Sequence, residues 1–291
     1  MDRFMQIHAI KTGDVLVKSA FLGSPATAGG VAPYMAGLFV DRTYVKIPIY
    51  AWAIEHSEGV IIVDTGEHAN TNKAFLTQSR MSVSPDEEIG RQLTHIGISR
   101  GDISKVVLTH LHTDHADGLK DFEGLPIWVS QREYQPFQSR GFSMSKLGLS
   151  LPTWLNPTLI AFRPEPIGPF ESSLPLTNDG SVMAVPTPGH TAGHLSVIVR
   201  ADDVHYFIAG DVAYREQALL DQKLEGPSLE IALHRQSLRR VLDYVHEYPT
   251  VFLPSHDPQS GNRLAAKQII AGTEAGLRQE LGQSAQRVAA V

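Results

Sequence analysis

The chain has 291 residues, of which 42% are hydrophobic and 19% are charged, so it is long enough to bury a substantial core in one large domain, residues 1–291. Its formal net charge of -6 argues against a nucleic-acid partner, because proteins that bind phosphate backbones carry basic patches. The absence of cysteine excludes disulfides and thiolate metal ligands.

Membrane and export signals are also absent from the sequence. No apolar run approaches the roughly 18 residues that a membrane-spanning helix needs. Charged residues such as Asp2 and Lys11 interrupt the amino terminus, where a secretory signal needs an apolar core. We therefore expect a cytoplasmic protein that does not enter a membrane.

The first part of the chain predicts a loop, a hairpin and a helix, in that order. Residues 23–37 are rich in glycine, alanine and proline, which predicts an ordered loop or a lid near a cleft. Two apolar runs, 44–54 and 60–64, are joined by a polar turn that contains glycine, and they predict a β-hairpin. Between Ser84 and Gly97, a capping serine, a first-turn proline and one apolar face predict a helix.

The second part predicts further helices. Residues 131–157 mix aromatic and aliphatic side chains with serine and glycine, which predicts loops or short helical pieces that form an apolar lid beside the cleft. Core packing or a contact in a homodimer would explain the same pattern. Leucine and valine at helical spacing predict a helix over residues 228–248, and the tail, residues 262–291, is expected to be helical too. Strands that alternate with helices indicate the mixed α/β class.

The most informative segment directly follows the apolar run of residues 106–108. Residues 110–115 read His-x-His-x-Asp-His, so four potential metal ligands lie within six residues. If the chain continues extended, His110, His112 and Asp114 point to one side, and His115 falls on the following turn. Imidazole and carboxylate groups are ligands of zinc, iron, cobalt and manganese. The segment therefore predicts a metal site.

Three more potential ligands follow short runs of β-branched or aromatic residues. These ligands are His190, Asp211 and His256. Ligands at strand ends sit on rigid elements, which suits a preorganised site. Because one tetrahedral metal takes three or four protein ligands, the seven donors are enough for a second ion.

The order of these motifs resembles the metallo-β-lactamase superfamily over about residues 44–256. The resemblance implies an αββα sandwich, in which two packed mixed sheets with outer helices carry a two-metal site along one edge. It implies that His110, His112 and His190 hold the first metal, that Asp114, His115 and His256 hold the second, and that Asp211 bridges both.

The resemblance also implies supporting residues and a choice of metals. Asp64, in a Val-Asp-Thr-Gly segment, would support a ligand histidine from outside the metal shell. His194 is expected to buttress a ligand or its loop, since seven ligands already fill two sites. The expected cofactors are two divalent ions, with zinc as the first choice and iron, cobalt or manganese as alternatives.

Several branches of the superfamily fit poorly. The commonest β-lactamases use a cysteine ligand, and diiron flavoproteins have an acid where this chain has His112. Glyoxalase II proteins bind glutathione through a basic carboxy-terminal cluster that has no counterpart here after Gly261. Hydrolases of small neutral or acidic esters remain.

Tyr214 points to one group of these hydrolases. The Asp-x-x-Tyr of residues 211–214 resembles N-acyl-homoserine lactone lactonases, and pyridoxolactone hydrolases share the feature. The implied reaction is ring opening by a hydroxide that bridges two metals, with Tyr214 stabilising the carbonyl oxygen and Asp114 carrying a proton to the leaving oxygen. A tyrosine that only packs is the alternative.

Two further functions stay open at this point. The same site could hydrolyse another ester, a phosphotriester or a thioester. A metal-binding or redox protein without hydrolysis is disfavoured by His112 and by the lack of a flavin domain. The expected partner is a small lactone or ester.

Overall fold

The computed structural model describes residues 5–22, 41–70, 79–146, 151–201, 203–274 and 276–279. The predicted loop at 23–37 and the end of the predicted helical tail lie outside these residues. The strands are β1 (Gln6–Lys18), β2 (Tyr44–Glu55), β3 (Val60–Val63), β4 (Arg80–Ser82), β5 (Ile103–Leu108), β6 (Ile127–Ser130), β7 (Thr158–Ile160), β8 (Leu174–Pro175), β9 (Val182–Pro186), β10 (Leu195–Ala201), β11 (Val204–Gly210) and β12 (Thr250–Pro254). The helices are α1 (Ile89–His95), α2 (Thr113–Ala116), α3 (Gln131–Lys146), α4 (Glu216–Leu220), α5 (Ile231–Glu247) and α6 (Ser260–Ala265).

The strands form two mixed sheets. The first has seven strands in the order β4-β1-β2-β3-β5-β6-β7, and the second has five in the order β12-β11-β10-β9-β8. In the first sheet β3, β5, β6 and β7 run parallel, and the remaining pairs are antiparallel. In the second sheet only β11 and β12 run parallel. The predicted α/β sandwich of two mixed sheets with helices is confirmed.

The alternation of side chains along each strand builds three apolar layers. In β2, Ala51 and Ala53 face the cluster that includes α1, whereas Trp52 and Ile54 face the cluster shared with the second sheet. In β11, Phe207 packs toward α5 on the other outer side. Because strands buried on both faces need apolar residues at every position, their sequences read as continuous apolar runs. Each large buried side chain contributes roughly 1.5–3 kcal/mol relative to exposure.

The predicted hairpin is confirmed. β2 and β3 pair antiparallel, with Trp52 opposite Val63, and Gly59 in the turn has a φ of 105°. Only glycine adopts this backbone conformation without strain.

No helix in the described part of the chain is long and apolar enough to cross a membrane.

The predicted helix between Ser84 and Gly97 is interrupted. Ser84 caps a 3-10 turn at Pro85–Glu87, as its capping box indicates, and α1 then begins at Ile89. Between them Glu88 is extended, and its carboxylate contacts the Ala69 backbone N–H and His68. Those tertiary contacts override the helical pattern. Ile96 is the C-cap residue of α1 and is 42% exposed.

The described part of residues 131–157 is more regular than the expected loops or short helical pieces. Residues 131–146 form the single helix α3, although Pro136 lies within it. Serine, glycine and proline lower helix propensity, so the sequence pattern hides this helix. Tyr134, Phe137 and Trp154 pack against the apolar cluster on the outer face of the first sheet. Their apolar character is therefore explained by core packing.

The two predicted carboxy-terminal helices differ in outcome. The helix expected over residues 228–248 is present as α5, which begins at Ile231. The tail is not one continuous helix over its described part, since α6 ends at Ala265 and turns follow. Ile270 is fully buried there, whereas Leu277 is half exposed.

We expect Gly118→Ala to destabilise the fold. Gly118 donates its N–H to Gly66 O at 3.1 Å, and a Cβ at this position would lie 2.2 Å from Thr65 O. Relief of this overlap must move backbone, so a loss of about 1–3 kcal/mol is expected in denaturant unfolding of metal-free protein. Gly101→Ala is the matched control, because its nearest neighbouring atom would lie 3.8 Å away. Equal unfolding midpoints for both variants would contradict the argument.

Candidate metal centre

The potential ligands follow the carboxyl ends of four strands. His110 and His112 follow β5, which belongs to the first sheet. His190, Asp211 and His256 follow β9, β11 and β12, which belong to the second. Both sheets therefore contribute to one edge of the sandwich.

The first donor group consists of His110, His112, His190 and Asp211, whose ligand atoms all lie within 4.8 Å of one another. His112 Nδ1 lies 3.0 Å from His110 Nε2 and 3.0 Å from His190 Nε2. His190 Nε2 lies 3.2 Å from Asp211 Oδ2. Three ring nitrogens and a carboxylate oxygen thus converge on one point.

The second donor group consists of Asp114, His115 and His256, whose ligand atoms also lie within 4.8 Å of one another. His256 Nε2 is 3.5 Å from Asp114 Oδ2. Asp211 Oδ1 is 3.2 Å from His115 Nε2 and 3.3 Å from His256 Nε2. The two oxygens of Asp211 therefore face different donor groups.

The structure brings all seven sequence-predicted ligands together but corrects one expectation about their arrangement. An extended chain would place Asp114 beside His110 and His112. Instead α2 begins at Thr113, directly after His112. This helical turn places Asp114 with His115 and His256, which is the grouping that the superfamily resemblance implies.

Asp64 supports the second donor group through a contact with His115. Its backbone is in the left-handed region, with a φ of 61°. Its carboxylate accepts hydrogen bonds from Thr109 N at 2.8 Å and contacts His115 Nδ1 at 2.8 Å. Because Nδ1 faces Asp64, His115 Nε2 is the ring nitrogen that is available to a metal ion. The Pro48 carbonyl does the same for His256, whose Nδ1 lies 2.8 Å away.

His194 buttresses a ligand, in agreement with expectation. Its Nε2 accepts a hydrogen bond from Asp211 N at 2.9 Å, and its Nδ1 lies 2.8 Å from Thr187 Oγ1. Burial lowers the pKa of His194 to about 3, so the ring is neutral and able to accept this bond. Thr187 and Thr109 were not predicted from the sequence, although each is a threonine just beyond an apolar run that leads to a predicted ligand.

Burial prepares the imidazoles of the first donor group for ligation. It lowers the pKa of His112, and it lowers the pKa values of His110 and His190 well below the ordinary value. Neutral imidazole is the form that binds a metal. These three side chains are therefore neutral near pH 7.

The second donor group attracts positive charge. Burial opposes protonation of His115, but Asp211, Asp64 and Asp114 outweigh it and raise the pKa of His115 well above its usual value. Asp211 likewise raises the pKa of His256 against the effect of burial. Burial would raise the pKa of Asp211, yet the neighbouring histidines hold it well below its usual range. A buried anion thus lies where a cation could bind.

The donor atoms fit divalent metal ions. His115 Nε2 and Asp211 Oδ1 are buried and make no hydrogen bond, although they lie 3.2 Å apart. Buried polar atoms normally have a partner, and ligation would supply one. Nitrogen and carboxylate donors suit zinc, iron, cobalt or manganese.

Tyr214 forms part of the wall of this site. Its ring centroid lies 4.6 Å from that of His256 and 6.0 Å from that of His190. The side chain is 6% exposed, and its hydroxyl abuts Gly226, where a Cβ would lie 2.3 Å from Oη. The position is compatible with catalysis and with packing.

Three other histidines make polar contacts outside the two donor groups. His68 pairs with Glu88, and His205 contacts the Tyr244 hydroxyl. His56, Glu58 and Asp179 form a third cluster of potential ligand atoms at the surface. Their side chains already bond one another or nearby backbone, so the cluster joins a turn of the first sheet to a turn of the second.

Two curated relatives are similar over most of the chain. A probable metallo-hydrolase of Mycobacterium tuberculosis is 27% identical over 227 residues, which cover 70% of this chain and 73% of that protein. N-acyl homoserine lactonase AiiA of Bacillus thuringiensis subsp. kurstaki is 26% identical over 223 residues, which cover 73% of this chain and 82% of that protein.

Solved structures show the same fold. An N-acyl homoserine lactone hydrolase with N-hexanoyl-L-homoserine bound at its catalytic metal center superposes with a TM-score of 0.68 at 21% identity, covering 88% of this chain and 94% of that one. The dizinc quorum-quenching lactonase AidC superposes with a TM-score of 0.63 at 15% identity, covering 89% of each chain. The model of the metallo-beta-lactamase superfamily matches residues 45–263. The chain therefore belongs to the metallo-β-lactamase superfamily.

Proposed function

We propose that this protein is a dinuclear metal-dependent hydrolase that opens the ring of a lactone, with N-acyl-homoserine lactones as the substrate class. The observation that carries the proposal is the placement of Asp211 between two donor groups, with one carboxylate oxygen facing each. Relatives named as N-acyl homoserine lactonases support the choice of substrate.

The ligand roles follow from the two donor groups. His110, His112 and His190 would hold one ion, Asp114, His115 and His256 the other, and Asp211 would bridge both. Two such ions, zinc in the first instance, would supply an activated water as nucleophile and Lewis acids for the carbonyl and leaving oxygens.

Two residues would assist the reaction directly. The Tyr214 hydroxyl donates a hydrogen bond to the carbonyl oxygen, where negative charge develops. Water adds to the carbonyl carbon and the ring C–O bond breaks, which yields a hydroxy acid. Asp114, whose side chain is 16% exposed, takes the water proton and delivers it to the leaving oxygen.

A cytoplasmic location and a homodimer stay predictions.

A substrate panel tests the proposal. We expect purified protein with about two metals per chain to hydrolyse N-acyl-homoserine lactones faster than aryl esters, thioesters or phosphotriesters, as measured by proton release. A phosphotriester hydrolysed far faster than every lactone would contradict the substrate class and leave the metal assignment intact.

His112→Ala should reduce metal content and turnover together. His112 Nδ1 lies beside the ring nitrogens of both His110 and His190. The substitution therefore removes one of the three imidazole donors that would hold the first metal. We expect loss of about one metal equivalent per chain, measured by elemental analysis after dialysis. His246→Ala, on an exposed face of α5, should retain both. Full metal content in His112→Ala would show that His112 is not a ligand.

Tyr214→Phe should keep both metals and lower kcat. Loss of one preorganised donor to a developing oxyanion costs about 10²–10³-fold in kcat. Steady-state kinetics and metal analysis of the same sample test this. Tyr248→Phe, where the ring packs on His205 and Tyr244, is the control. An unchanged kcat in Tyr214→Phe would assign this tyrosine to packing.

A further inference from the structure

A buried carboxylate from α3 connects the two loops that carry most of the first donor group. Glu133 lies in the first turn of the helix and is 6% exposed. One of its oxygens, Oε1, accepts a hydrogen bond from Leu111 N at 3.1 Å. The other, Oε2, accepts one from Gly193 N at 3.0 Å. The side chain therefore joins backbone segments that are 82 residues apart.

Each of these backbone donors lies in a loop that carries a potential ligand. Leu111 lies between His110 and His112 in the chain. Gly193 precedes His194, whose Nε2 accepts the Asp211 N–H. Through these two bonds one carboxylate restrains the loop of residues 110–112 and the loop of residues 190–194. The second donor group has its own support in Asp64.

The fit between the second loop and α3 is tight. A Cβ on residue 193 would lie 2.1 Å from Glu133 N and 2.6 Å from Glu133 Cα. These neighbours are helix backbone, which cannot rotate away as a flexible side chain can. The loop thus rests directly on the first turn of α3, and only glycine allows this approach.

We propose that Glu133 is a positioning residue for the first donor group. It holds the loops of residues 110–112 and 190–194 at the separation at which their imidazole nitrogens bind one divalent cation. The inference rests on the proposed metal binding and is independent of the proposed lactone substrate.

The chemistry of the contact requires a carboxylate. Two backbone N–H groups need two acceptors, and an ionised glutamate offers an acceptor on each oxygen. Glutamine has the same shape but offers one acceptor and one N–H₂ donor. In Glu133→Gln, one buried backbone N–H would face another donor, so that hydrogen bond is lost and one loop is released.

Cobalt binding to Glu133→Gln tests the proposal. Metal-free protein is titrated with Co²⁺, with visible absorption and chelator competition as readouts, in the absence of substrate. We expect one of the two cobalt ions to bind about 10–100-fold more weakly, as is typical when an outer partner of a metal ligand is removed. The visible absorption bands of this more weakly bound cobalt ion should also change. Glu123→Gln, which alters an exposed carboxylate, should titrate as the parent protein does.

A second comparison tests which ion is affected. Asp64→Asn removes the charged partner of His115 in the second donor group. It should therefore lower the affinity of the cobalt ion that Glu133→Gln leaves unaffected. If Glu133→Gln leaves both affinities unchanged, or weakens both ions equally, the proposal is overturned. If the parent protein binds no cobalt, the metal assignment itself fails, which distinguishes the two failures.

Folding is checked by circular dichroism of the metal-free protein before titration. Should Glu133→Gln not fold, Gly193→Ala takes its place, because its methyl group would push the loop of residues 190–194 away from α3. Selective weakening of the cobalt ion that Asp64→Asn leaves unaffected supports the proposal. Unchanged affinity for that ion in Gly193→Ala overturns it.

Discussion

The carboxylate of Asp211 is buried among the imidazoles of four potential ligands, and the surrounding structure is organised around its charge. An isolated buried anion costs several kcal/mol, so it persists only with compensating positive charge and hydrogen bonds. Asp211 in turn raises the pKa values of His115 and His256, and His194 accepts a hydrogen bond from the backbone N–H of Asp211. Bound metal ions would supply positive charge at fixed positions beside this carboxylate.

The sandwich architecture makes this arrangement possible. The first sheet provides the segment of residues 110–115, and the second provides His190, Asp211 and His256. Neither sheet alone carries a complete donor group. The apolar layer between the sheets, which includes Trp52 and Val107, therefore determines how the two halves of the site meet. Glu133 and Asp64 then adjust individual loops within that frame.

Features that depend on local pattern or on a distinctive motif could be predicted from the sequence. The hairpin followed from two apolar runs and a turn with Gly59, and the seven donors followed from their spacing and residue type. The resemblance to the superfamily grouped Asp114 with His115 and His256, but the helical turn α2 that places it there was missed, because the motif has no signal for such a turn. The bonds of Glu133 were missed for a different reason: a side chain that binds backbone N–H groups imposes no residue type on its partners.

The alternation of side-chain size along β2 has a consequence for the accuracy of folding. Both faces of the strand are apolar, so hydrophobicity alone does not distinguish its register from one shifted by a single residue. Volume does, because such a slip would put Trp52 where the small Ala51 and Ala53 meet the helices. The same register places the carbonyl of Pro48 against His256 Nδ1. The packing of Trp52 and the carbonyl contact of His256, just beyond the end of β12, thus depend on the same strand register.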